Sequence, residues 1–300
     1  MPECPGGVYR MVVPAAAGGT TDLVGRLIAT RLGERLGASV VVENRAGGGG
    51  TIGAAHVAAA KADGCTMLMG NIGPNAINYS LNKNLNYGPG DLQPVIRVFS
   101  VPNVLVVNPK VPARSVADLI ELAKKQPGVL ALANSGVGQS THMTGEMFRL
   151  ATDIDVISVP YKGNAPAVAD LIGGQVHMMF DNAAVSLPHI QSGKLVALAV
   201  TSKQRVAALP DVPTMDESGL KGFDVAAWFG LFYPQGTDAK YVNGLNERVA
   251  QILRDEDVQK QIASWSGLPG GESVAEFSQF VEADVAKWAR IVEAAKLSID

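Results

Sequence analysis

Aromatic residues make up only 6% of this 300-residue chain, too few for a base-stacking surface or a sugar-binding platform. Cations are not in excess. Twenty-five Lys and Arg stand against 28 Asp and Glu, for a formal charge of −3, and the basic residues are spread along the chain. Nucleic-acid binding, which needs a basic stripe, is therefore not expected. No segment reaches the ~18 consecutive apolar residues of a membrane-spanning helix. The first residues, Met1-Pro2-Glu3-Cys4-Pro5-Gly6-Gly7, hold no basic region followed by an apolar stretch. On composition the chain is either cytoplasmic or has lost a leader and gained a start Met. Cysteine is scarce, with Cys4 and Cys65 alone, and no CxxC spacing suggests zinc or redox chemistry. His56, His142, His177 and His189 form no local metal-ligand pair, so neither metal nor cofactor is expected.

What is present is ordinary globular material, 47% apolar and 18% charged, in a length that suits two α/β domains. The run Val8–Val13 reads as a strand. Pro14–Asp22 is a loop of small residues, and Leu23, Leu27, Ile28, Leu32 and Leu36 then recur at helical spacing. The pattern repeats: a strand at 39–43, a glycine loop and an Ala-rich helix at 51–62, a strand at 66–70, and a polar loop over 71–78. Residues 95–108 are β-rich. A second series follows, with helices at 115–126 (capped by Ser115), 141–151, 164–172 and 183–191. Its strands fall at 129–133, 156–159, 177–181 and 195–201. Alternation of this kind implies parallel sheets with right-handed crossovers. An aromatic strand, 227–234, precedes two or three C-terminal helices that need a sheet to pack on. The expected organisation is one domain of 1–101 plus 227–300 and a second of 102–226. The hinge would lie near Val98–Val106 and Trp228–Phe232, with a ligand cleft lined by strand-end loops. Cys4 and Cys65 each precede a predicted strand. If those strands are neighbours in a parallel sheet, the two sulfurs share one end of it and can pair; two unrelated thiols is the other reading.

Candidate chemistry gathers at predicted strand ends. The loop Pro14–Asp22 opens a helix and contains no Lys or Arg, so it suits a carboxylate held by backbone N–H groups and a Thr20 or Thr21 hydroxyl better than a phosphate; a plain turn is the alternative. Gly48-Gly49-Gly50-Thr51-Ile52-Gly53 matches the dinucleotide pattern GxGxxG. It lies too far from its strand, and no acid follows in the next strand, so close backbone approach or flexibility is preferred. The loop Asn134–His142 echoes the first and is a second candidate anion site. Ser140 and His142 could be read as nucleophile and base, but two residues apart at a helix start they do not face each other, and there is no GxSxG elbow. Asn71, Asn75 and Asn78, Tyr161 and Lys162, and Asp181 are polar groups at further strand ends. Asp181 faces a ligand amine or hydroxyl, or caps helix 183–191.

These motifs together resemble the Bug-type extracytoplasmic receptors of tripartite tricarboxylate transporters. The resemblance rests on VVPAAAGGTTD (12–22), VVVENRAGGGGTIGA (40–54), DGCTMLMGN (63–71), NSGVGQSTHM (134–143), VPYKGNAPAVADLIGGQV (159–176), ALAVTSKQR (197–205), LPDVPTMDESG (209–219) and WFGLFYPQGT (228–237). It covers nearly the whole chain, in the family's order. It implies a two-lobed, Venus-flytrap fold of the type II periplasmic-binding-protein kind, each lobe a mostly parallel sheet flanked by helices. It also implies a periplasmic protein, its leader removed, that hands a di- or tricarboxylate, acidic amino acid or aromatic acid to a membrane permease; a monomer is the default expectation. A ligand-sensing subunit for a signalling partner, or an enzyme using Ser140 and His142, are the rival readings. Carried onto this sequence, the family's ligand contacts fall on Ala16, Gly18, Gly19 and Thr20, on Ser135, Gly136, Ser140 and Thr141, and on Asn71, Tyr161 and Asp181. The sequence departs from the family at Cys65, where an aromatic is common, and at Cys4-Pro5-Gly6-Gly7. That pair supports a disulfide, which suits an oxidising compartment.

Overall fold

The computed structural model describes residues 1–299. Its principal elements are β1 (Val8–Val13), α1 (Thr20–Leu36), β2 (Ser39–Asn44), α2 (Thr51–Ala58), β3 (Thr66–Asn71), α3 (Asn78–Leu81), β4 (Leu92–Val107), α4 (Val116–Lys125), β5 (Ala131–Asn134), α5 (Ser140–Thr152), β6 (Ile157–Pro160), α6 (Asn164–Gly173), β7 (Met178–Asn182), α7 (Ala183–Gln191), β8 (Val196–Val200), β9 (Ala226–Pro234), α8 (Ala239–Ile252), α9 (Glu256–Ser264), β10 (Leu268–Pro269) and α10 (Val274–Ala294). They form two compact units. One comprises Met1–Ser100, Trp228–Ile262 and Leu268–Asp300, the other Val101–Ala227 with Ala263–Gly267. The long strand β4 and the strand β9 carry the chain from one unit to the other.

In the first unit β1 lies between β2 and β3, parallel to both, with Arg10 opposite Val41 and Thr66. The βα crossovers bury this sheet, and so Met11, Val12, Val13, Met67, Leu68 and Met69 are all without solvent exposure. The sheet is not purely parallel. β9 pairs antiparallel with β3, and β10 with β4. The C-terminal helix α10, closed at its start by a Ser273–Glu276 capping box, packs on β9 through Trp228, Phe232 and Phe277, with the Trp228 indole N–H donating to Asp284 Oδ2 at 2.8 Å. Gly230 permits this approach, because a Cβ there would come within 2.5 Å of Phe277 Cζ and 2.9 Å of the Ile96 carbonyl.

Two expectations need correction here. The Ala-rich helix ends at Ala58 rather than near Ala62, since the chain must turn through Asp63-Gly64 into β3, and Asp63 Oδ1 accepts the Cys65 N–H at 2.9 Å. The segment after β3 is not a polar loop but a buried wide turn, Gly73–Ile77, leading straight into α3. Its asparagines replace solvent for the backbone. Asn71 Oδ1 accepts the Gly73 N–H at 2.9 Å and Asn75 Oδ1 accepts the Asn71 N–H at 3.1 Å. Gly70 leaves room for Asn75, whose Oδ1 would lie 2.4 Å from an added Cβ.

Cys4 and Cys65 are joined in a disulfide with Cα atoms 5.6 Å apart. They meet because β1 and β3 are parallel neighbours and both cysteines precede them; the Arg10 N–H donates to the Cys65 carbonyl at 2.9 Å.

In the second unit β5 lies between β6 and β7, parallel to both, and the far half of β4 pairs antiparallel with β7 and β8. The helix α4 starts at Ser115, whose Oγ accepts the Asp118 N–H. A stack of Phe148, Phe180 and Phe223 fills part of the core. Among the described residues no helix is long and apolar enough to cross a membrane.

Candidate functional site

In both units the parallel strands end at loops that open helices, and the candidate residues sit there. In the first unit the loop between β1 and α1 turns at Gly18, whose φ of 81° suits glycine. Asp22 organises it. Its Oδ2 accepts the Gly18 N–H and the Arg26 Nε–H, both at 2.9 Å, and its Oδ1 accepts from Asn44 Nδ2 at 2.8 Å. Burial pushes the Asp22 carboxyl up, but these donors outweigh it and hold the group below its ordinary range.

The helix α1 begins after Gly19, which has no side chain to cap it, whereas α4, α8 and α10 each carry a capping side chain. Its first-turn N–H groups donate to no capping side chain, while the Asp22 carboxylate in the same turn is turned back to the Gly18 N–H, Arg26 and Asn44. Thr20 is fully buried, and its Oγ1 has no hydrogen-bond partner among the described residues. Thr21 Oγ1 accepts from Asn71 Nδ2 at 3.2 Å, which ties the end of β3 to the start of α1. Asn75 is equally buried, and its Nδ2 is likewise unpartnered. Ala16, Gly18, Gly19, Thr20 and Asn71 are thus brought together at the carboxyl ends of adjacent strands. The Gly18 N–H and the Asn71 amide are engaged internally, while Thr20 and Asn75 present open polar atoms. Asn75 was legible only as a polar residue after a strand; its four-residue spacing from Asn71 was the one available signal. The glycine run Gly47–Gly50 adopts positive φ throughout, and close approach to the β1 end falls on Gly53, where a Cβ would lie 2.8 Å from Pro14 Cβ and 2.9 Å from its Cα.

In the second unit the loop after β5 is held by its own hydroxyls. Thr141 Oγ1 accepts the Ser135 N–H at 2.9 Å and shares a 2.8 Å hydrogen bond with Ser135 Oγ, and Asn134 Oδ1 accepts the Gly136 N–H at 3.0 Å. The helix α5 again starts without a side-chain cap, at Gln139. Ser140, Thr141 and Gly136 are buried and Ser135 half-buried. Neither nitrogen of His142 turns to Ser140: Nδ1 accepts from the Gly138 N–H at 3.3 Å and Nε2 lies 3.9 Å from Glu146 Oε1. Burial holds the imidazole below its ordinary value, with Glu146 opposing and Arg149 adding to the effect.

Tyr161 and Asp181 are placed differently from the other candidates. The Tyr161 N–H joins the loop by donating to the Asn134 carbonyl, but its hydroxyl donates to Asp170 Oδ2 at 2.7 Å, and burial with that carboxylate pushes the phenol up to about 12. Lys162 beside it is exposed. Asp181 has no solvent exposure and does not cap α7. It accepts from Asn164 Nδ2 and Ser186 Oγ, both at 2.5 Å. Burial pushes its carboxyl up to about 6, against the hydrogen bonds from Ser186, Asn164 and the Asn182 N–H. The network continues through Asn182 Nδ2 to Asn103 Oδ1 (2.7 Å), from Asn103 Nδ2 to Thr144 Oγ1 (2.9 Å), and from Thr144 to the Ser140 carbonyl (2.7 Å). Asp181 therefore supports the start of α5 from inside the unit.

The fold is that of the periplasmic binding proteins, with two α/β units whose polar loops lie at strand carboxyl ends. The family model described as tripartite tricarboxylate transporter family receptor matches residues 24–297, and the chain belongs to that family. Protein BugT of Bordetella pertussis is 39% identical over 285 residues, 94% of this chain and 87% of that protein. The structure of R. palustris Rpa4515 with adipate superposes with a TM-score of 0.93 at 38% identity, covering 97% of each chain. MatC (Rpa3494) from Rhodopseudomonas palustris with bound malate has a TM-score of 0.91 at 31% identity, over 95% of this chain and 98% of that one. The family is one of solute-binding receptors, with carboxylate ligands in these two neighbours.

Proposed function

We propose that this protein is a periplasmic receptor that captures a small aliphatic dicarboxylate and delivers it to the permease of a tripartite tricarboxylate transporter. The observation that carries the reading is Thr20. A fully buried hydroxyl without a partner is costly to leave unmade, and this one sits at an uncapped helix start that favours a negative group. A carboxylate there would accept from the Thr20 O–H and from the first-turn N–H groups, with Asn75 Nδ2 as a further donor. Ala16, Gly18, Gly19 and Asn71 shape that pocket. In the second unit Ser135, Gly136, Ser140 and Thr141 form a like set of polar groups at a helix start without a side-chain cap, with Tyr161 and Asp181 holding it in place. The neighbours with adipate and malate favour dicarboxylates of four to six carbons over larger acids. No step of bond making is assigned, because His142 is committed away from Ser140.

The test is calorimetric titration of the purified protein with adipate, malate, glutamate and citrate, repeated with Thr20→Val. One dicarboxylate binding saturably, and at least about tenfold more weakly to the variant, is the expected result. Equal affinity in both proteins would remove Thr20 from the site. Absence of heat with every acid, for protein first denatured and refolded to free any trapped ligand, would overturn the carboxylate assignment.

A further inference from the structure

At the amino ends of β5 and β7 the second unit holds a cavity of about 380 Å³. Its walls mix apolar and polar groups: Val111, Leu122 from α4, Val129, Leu130 and Val176 line it together with Asn108, Lys110, Gln126 and His177. The strand β5 is four residues long. At ~3.3 Å per residue the cavity and the 135–141 loop are therefore roughly 13 Å apart along it, at opposite ends of the sheet.

Two of the polar groups matter for a ligand, His177 and Lys110. His177 is fixed twice to Ala131: its backbone N–H donates to the Ala131 carbonyl at 3.0 Å, and its ring Nδ1 accepts the Ala131 N–H at 2.9 Å. A ring nitrogen that accepts carries no proton, so the neutral imidazole holds its proton on Nε2. That Nε2 has no protein partner among the described residues. Lys110 is the second group. Its backbone N–H donates to Asn108 Oδ1 at 2.9 Å, and among the described residues its ammonium enters no ion pair. Asn108 itself is committed, its Nδ2 donating to the Leu171 and Ile172 carbonyls. No Asp or Glu lines the cavity. An exposed cation without an ion pair and an oriented N–H donor, at the edge of a cluster of apolar side chains, match an anionic head on an apolar body.

We propose that this cavity is a second ligand site, for a medium-chain monocarboxylate whose head meets Lys110 and His177 Nε2–H and whose chain lies against Leu122, Val129, Leu130 and Val176. The site stands independently of the dicarboxylate reading, since it shares no residue with the strand-end loops.

The experiment is methyl NMR of Leu- and Val-labelled protein titrated with octanoate, with octan-1-ol as the uncharged probe. Saturable shifts at Leu122, Val129, Leu130 and Val176 are expected, with octanol binding at least about tenfold more weakly. Lys110→Ala should weaken octanoate about tenfold. Val129→Glu, at a side chain 54% exposed and so tolerant of a charge, should repel it at least as strongly. The proposal fails if those methyls do not move, if octanol binds as well as octanoate, or if neither variant changes the affinity. It also fails if octanoate moves only methyls flanking the 16–20 and 135–141 loops, which would place it in the receptor site instead.

Discussion

Replacing both cysteines, Cys4→Ala with Cys65→Ala, removes a crosslink whose effect can be worked out from the structure. The bond closes a sequence separation of 61, for which the chain-entropy relation gives about 4 kcal/mol of stabilisation at 25 °C. Alanine suits the positions because Cys4 is buried and a serine hydroxyl there would need a partner. The native arrangement should survive without the bond. The Tyr9 hydroxyl holds the Pro2 carbonyl at 2.6 Å, the Tyr233 hydroxyl holds the Gly64 carbonyl at 3.1 Å, and β1 and β3 remain paired. The loss therefore falls on stability, through a more expanded unfolded chain, and not on ligand affinity. Guanidinium unfolding followed by intrinsic fluorescence reads mainly this unit, since two of the three tryptophans, Trp228 and Trp288, are buried within it and Trp265 alone belongs to the other. The expected result is a lower midpoint, about 4 kcal/mol on extrapolation, and a melting temperature lower by roughly 10 °C. Reductant should lower the native protein to the variant's level and leave the variant unchanged. A variant with the native midpoint and slope would refute the reasoning, because the crosslink would then not constrain the unfolded state.

Other perturbations test other parts of the account. Asp181 has a folded-state pKa of about 6 against 3.8 for a free side chain. Its contribution to stability is fully present below about pH 4 and is lost as pH rises through 6, a change on the order of 3 kcal/mol. Asp181→Asn can still accept from Asn164 and donate to Ser186, so its urea stability should match the native protein near pH 4 and exceed it at pH 7; an identical pH profile for the two would exclude the assignment. Gly230→Ala should destabilise by about 1–3 kcal/mol through the clash with Phe277 and the Ile96 carbonyl, measured by thermal melting, and an unchanged melt would mean α10 can shift away freely. Asn75→Leu keeps the branching but is bulkier and removes the open amide, so it should weaken dicarboxylate binding and also lose the hydrogen bond to the Asn71 N–H. Comparison with Asn75→Asp, which retains that acceptor and adds a charge repelling the ligand, separates the two effects by calorimetry.

Much of this protein was determined locally. Period and punctuation were enough to place β1, α1 and the helix Ala183–Gln191, and the Ser115 cap followed from the residue type before an apolar face. The pairing of Cys4 with Cys65 stayed one of two open readings until β1 and β3 were seen as parallel neighbours, whereas the family was carried by motifs in order along the chain. These signals need only a few consecutive residues, because helical and strand periodicities repeat within one or two turns. The tertiary structure decided what each polar side chain does. Asn71, Asn75 and Asn78 follow a strand as a surface loop would, yet all three are buried, and Asn71 and Asn75 replace water for the backbone. Tyr161 turns to Asp170, and Asp181 is held by Asn164 and Ser186, whereas Thr20 is left without a partner. Asn103 reaches Thr144 and Asn182 across separations of 41 and 79 residues. Hydrogen-bond partners are chosen by which strands become neighbours, and one desolvated atom more or less decides whether a residue supports the site or faces its ligand.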